Sequence, residues 1–75
     1  MQSNMAQIAL NAADRAIISE LRKGRNVPAN VAKATDYSRQ YVYDRLRRLA
    51  EHGVATNIGN GVYELVESEV PTGDV

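Results

Sequence analysis

Arg39, Gln40, Tyr43 and Asp44 fall within one six-residue stretch and carry between them the donors and acceptors needed to read base edges. A guanidinium can bond guanine O6 and N7 with two N–H groups, and a Gln amide matches adenine N6 and N7 in the same bidentate way. A Tyr ring can pack on a thymine methyl or send its hydroxyl to a phosphate. A carboxylate can accept from cytosine N4, or can orient Arg47 or Arg48 nearby. On a helix, Gln40, Tyr43, Asp44 and Arg47 recur at intervals of three and four and so share a face. A purely solvated face would show the same pattern. Arg39 flanks the apolar stripe of that helix, so it can lean on phosphate in place of base.

Phosphate contacts would supply affinity and register. The candidates are Ala29 and Asn30, whose backbone N–H groups open a helix after Pro28, together with Lys33, Ser38, Tyr41, Arg47 and Asn60. Tyr37 is expected to pack beneath the adjoining turn.

These side chains need two helices and a tight turn to hold them. Pro28 suits a first helical position, where its missing N–H costs nothing. Ala32 is small enough for close helix approach, and Asp36, four residues on, tolerates the left-handed turn. Val42 follows Ala32 by ten residues as the grip of the second helix, and Leu46, Leu49 and Ala50 continue its apolar stripe. Ser38 is the expected N-cap, and Gly53 the left-handed end after His52.

Upstream, Asp14 is a candidate N-cap for a helix reaching Lys23, with Ile17, Ile18 and Leu21 inward and Gly24 just past its end. Alternatively, Ser3 or Asn4 caps a longer helix, whose second apolar stripe of Met5, Ile8, Ala12 and Ala16 would suit a dimer contact. Residues 1–13 are then either a loosely packed leader or that contact. Arg25, Asn26 and Val27 form an extended link that allows a one-residue bridge to a later hairpin. Arg45, near the edge of the stripe, pairs with an acid or snorkels over the preceding helix.

Downstream, VATNI and VYEL flank Gly59-Asn60-Gly61, a hairpin signal. This wing carries no cation at its tip. Residues 67–75 form an acidic tail expected to be largely disordered. The fold class that follows is α+β, mostly α: a winged helix-turn-helix over residues 14–66, three helices followed by a short two-stranded hairpin.

Seventy-five residues permit one small core. Formal charge is zero, but residues 15–48 hold all nine Lys and Arg against three acids, while the C-terminal end is acidic. That separation suits a basic working surface. The chain has no Cys and one His, which argues against a disulfide framework or a metal centre. There is no Gly-rich phosphate loop, no His–carboxylate grouping and no nucleophile beside a base. The expectation is a protein that is not an enzyme, with no cofactor and no small-molecule substrate. No stretch approaches the ~20 apolar residues of a membrane span, and the first residues lack signal-peptide character, so no membrane partner and a cytoplasmic location are expected.

From Asp14 to Leu65 the sequence resembles the small archaeal winged helix-turn-helix regulators, most closely the group similar to the repressor of the haloarchaeal phage phi-H. GRNVPANVA (24–32), YSRQYVYDRLRRL (37–49), the HG at 52–53 and GNGVYEL (59–65) carry the match. The resemblance implies a sequence-specific regulator of transcription that binds double-stranded DNA as a homodimer and acts as a repressor. The rival expectation is a winged-helix module that docks another protein.

Overall fold

The computed structural model describes residues 8–72. Three helices, α1 (Ala12–Arg22), α2 (Pro28–Thr35) and α3 (Arg39–Glu51), precede an antiparallel hairpin of β1 (Ala55–Gly59) and β2 (Val62–Leu65). This is the three-helix, mostly α winged helix-turn-helix layout that the apolar spacing predicts.

Helix α1 starts earlier than an Asp14 cap would have it. Asn11 is the N-cap: its Oδ1 accepts from the Asp14 N–H at 2.7 Å, and Asp14 Oδ2 accepts from the Asn11 N–H at 3.0 Å. Asp14 therefore closes a reciprocal capping box from the third helical position. Residues 8–11 are not helical, which removes the long leader helix over this stretch. Ile8 is buried in the chain's own hydrophobic core, so it belongs to no exposed dimer stripe. Met5 and the proposed caps Ser3 and Asn4 lie outside the described residues.

The turn between α2 and α3 follows from its residues. Asp36 adopts φ 65° and donates its N–H to Ala32 O at 2.9 Å, closing α2 in the left-handed conformation that Asp tolerates. Ser38 Oγ accepts from the Tyr41 N–H at 3.1 Å and caps α3. Val31, Val42, Leu46 and Leu49 are fully buried between the helices. Tyr37 is half-buried against this core. Gly53, at φ 79°, turns the chain out of α3.

Asp14 also ties α1 to α3. Arg45 donates from Nε to Asp14 Oδ1 and from Nη2 to Oδ2, both at 2.7 Å, and the carboxylate is fully buried. Three donors satisfy this buried charge, which would otherwise be costly. Donation of these hydrogen bonds to Asp14 is the largest of the effects that raise the Arg45 guanidinium above its ordinary pKa.

In the hairpin, Asn60 and Gly61 are the two loop residues, with φ 55° and 74°, and Gly59 pairs with Val62. Positive φ at both positions matches the twist of the flanking strands. A bulge between Asn57 and Gly59 leaves Ile58 without a register partner and exposed. A one-residue bridge joins Asn26 to Tyr63, so the link before α2 forms a third short edge.

The segment after Leu65 departs from the expected disorder as far as it is described. Glu67–Glu69 form a 3-10 turn, Val70 packs on the core, and Arg22 donates to Glu67 at 2.9 and 2.7 Å. An apolar residue inside an acidic stretch, with a basic partner on α1, is enough to fold it back.

Candidate nucleic-acid interface

Burial of Val42, Leu46 and Leu49 turns the opposite side of α3 outward, leaving Gln40, Tyr43, Asp44, Arg47, Arg48 and Glu51 exposed. A helix of 13 residues is roughly 20 Å long, and a bare helix face of this width fits a major groove about 12 Å across. Tyr43 is 40% exposed, large for an aromatic ring in so small a chain.

Arg39, Gln40 and Tyr43 converge with Ala29 at the start of α2 and with Asn60 at the tip of the hairpin. Together with Val27, Pro28 and Gly61 they line one open depression of about 580 Å³. Two consecutive helices and a hairpin tip remote from them in sequence thus contribute to a single concavity. Lys33 and Ser38 line an adjoining depression between α2 and α3, which shares Ala29 and Arg39 with the first.

Other expected site residues are already engaged. Gln40 Nε2 donates to Asp44 Oδ1 at 3.0 Å, so Asp44 orients Gln40, while Arg47 lies over the Tyr43 ring at 5.8 Å. The Asn30 N–H donates to Val27 O at 3.1 Å and its side-chain amide to Asn26 Oδ1 at 3.1 Å. Among the described residues no acceptor meets the Ala29 N–H, which makes it the open backbone donor of that helix start. Tyr41 packs its ring 5.7 Å from Tyr37, and its hydroxyl accepts from Asn11 Nδ2 at 3.2 Å. It sits on the α1 side, apart from the depression.

Electrostatics separate the faces further. Arg22, Lys23 and Arg45 are paired with Glu67, Glu20 and Asp14. Arg25, Lys33, Arg39, Arg47 and Arg48 meet no carboxylate within ion-pair distance among the described residues. Four of these five lie on α2 and α3. Acids neutralise Arg22 and Lys23 at the end of α1, whereas Lys33, Arg39, Arg47 and Arg48 on the helix-turn-helix remain available.

Sequence reasoning had not placed Val27, Pro28 and Gly61 in the site, having read the Pro and the Gly only as backbone devices. Their apolar contribution depends on the hairpin closing over α2, and no local pattern reveals that. The Gln40–Asp44 and Tyr43–Arg47 contacts were discoverable, because each pair is four residues apart on one helix.

Among the described residues no group of three or more His, Asp or Glu is placed to hold a metal ion, and no helix is long and apolar enough to cross a membrane. Compared with known protein families, curated proteins and solved structures, the chain matches none.

Proposed function

We propose that this chain is a sequence-specific double-stranded DNA-binding regulator of transcription, a repressor, with α3 in the major groove. The observation that carries the reading is the concavity in which Arg39, Gln40 and Tyr43 meet the start of α2 and the hairpin tip, flanked by cations without acidic partners. In this reading Gln40 and Tyr43 face bases. Lys33, Arg39, Arg47 and Arg48, with the Ala29 N–H and Asn60, hold phosphates. The Asn60-Gly61 tip has no cation, so it rests beside the backbone and does not penetrate the minor groove. The protein works in the cytoplasm by binding and not by catalysis. As a homodimer it would span half-sites about 10 base pairs apart.

Binding of the full chain to a random duplex across a salt series tests the proposal. Four phosphate-bound cations per protomer give log affinity a slope of roughly −3 to −4 against log salt for each bound protomer, about twice that for the dimer, and Arg47→Ala lessens it by about 1 per protomer. Weak binding that ignores salt would instead favour a protein-docking module. Sedimentation of the complex counts protomers per duplex.

A further inference from the structure

The bond between Gln40 and Asp44 decides more than the packing of two exposed side chains. An ionised carboxylate only accepts hydrogen bonds, so the end of the Gln40 amide facing Asp44 Oδ1, at 3.0 Å, must be the NH2 group. The amide therefore cannot flip freely. Its Oε1 and its second N–H are left to face outward, one acceptor beside one donor. Neither Arg47 nor Arg48 competes for Asp44, since no ion pair joins them to it, and Arg47 lies instead over the Tyr43 ring.

We infer that Asp44 is a positioning residue that fixes the Gln40 amide in the one orientation that selects adenine. The inference rests on the reading of α3 as the groove-facing helix. Adenine presents N6–H as donor and N7 as acceptor, the complement of Oε1 and N–H side by side. Guanine presents two acceptors, O6 and N7, and sets one of them against Oε1. Thymine offers only O4 as acceptor beside its methyl, and cytosine only its N4 donor, so each can make a single bond. Removing the carboxylate frees the amide to turn over.

Selection of bound duplexes from a random pool with the full chain, followed by competition among duplexes differing at one base pair, tests this. Wild type should enrich adenine at one position in each half-site, with a preference over guanine of about 10- to 100-fold. Gln40→Ala should abolish that preference. Asp44→Ala should reduce it several-fold at the same position and leave other positions unchanged. Its binding to a random duplex at low salt should stay equal or become tighter, because an acid has been removed. Asp44→Glu keeps a carboxylate four residues from Gln40 and should restore much of the preference, which a merely structural role for the side chain would not explain.

If Asp44→Ala retains full adenine preference, or wild type selects a site without an adenine that Gln40→Ala affects, the inference is overturned while the DNA-binding reading stands. If no duplex is bound in a salt-dependent way, that reading falls and the inference with it.

Discussion

Replacing Arg45 by alanine leaves the Asp14 carboxylate in place with only the Asn11 N–H to satisfy it, at a position without exposed surface. Stripping one partner from a buried charge pair costs about 3 to 5 kcal/mol. The Arg45 side chain is 22% exposed, so water can reach the gap, and the lower end, about 3 kcal/mol, applies. A domain of this length has a total stability of about 4 to 11 kcal/mol, and each kcal/mol moves the thermal midpoint by about 4 to 8 °C. Arg45→Ala should therefore lower the midpoint by about 12 to 24 °C in a calorimetric or circular-dichroism melt. The internal control is Arg22→Ala. Arg22 holds Glu67 with nearly the same two-pronged geometry, 2.9 and 2.7 Å, but the side chains are 51% and 61% exposed. Solvent screening should leave that variant's midpoint almost unmoved. In a double-mutant cycle, Asp14→Ala with Arg45→Ala should cost clearly less than the two single changes added together. Equal midpoint shifts for Arg45→Ala and Arg22→Ala, or strict additivity in the cycle, would refute the argument that burial, and not geometry, gives the Asp14 pair its weight.

Ile8→Asp places a charge in the hydrophobic core, so the thermal midpoint should drop by about 10 °C or more; a melt matching wild type would show that Ile8 lies elsewhere. The Glu67 carboxyl titrates below its ordinary value near 4.5, chiefly because Arg22 hydrogen-bonds to its charged form. The Arg22–Glu67 contact is thus intact above that ordinary value and is lost as pH falls through the lowered one. Arg22→Ala should bring the Glu67 titration, followed by NMR, back up towards 4.5, and an unchanged titration would contradict the contact. Gly53 has open space around the position of a Cβ but φ +79°, so Gly53→Ala should cost about 1 kcal/mol through backbone strain alone, readable as a lowered denaturant midpoint with unchanged slope. A neutral result there would mean that α3 ends differently.

Local chemistry made the helix-turn-helix legible. Ala32, Asp36, Ser38 and Val42 each perform the role their type and spacing suggest, as do Gly53 and the Asn60-Gly61 turn. The start of α1 was harder to place because Asn11 and Asp14 are both good capping residues, and only the reciprocal bonds show which one caps. The Asp14–Arg45 and Arg22–Glu67 pairs span 31 and 45 residues, so no window of sequence contains both partners. Ile8 lies outside any helix, so the helical spacing that grouped it with Met5, Ala12 and Ala16 pointed to a dimer stripe and not to its burial in the chain's own core. In the candidate site, the α3 face was visible as a list of side chains. Its meeting with Pro28 and Asn60 was not, since it depends on how the hairpin sits against α2.

The bridge between Asn26 and Tyr63 bears on how anything docks there. Two hydrogen bonds, 2.9 and 2.7 Å, join the residue two before Pro28 to the strand leaving the hairpin tip, and a lone two-stranded ribbon would otherwise be only marginally stable. Wing and helix start are clamped as one frame before any visitor arrives. With little left to freeze on arrival, damage to a contact in that frame should register as faster departure of the bound molecule and not as slower capture.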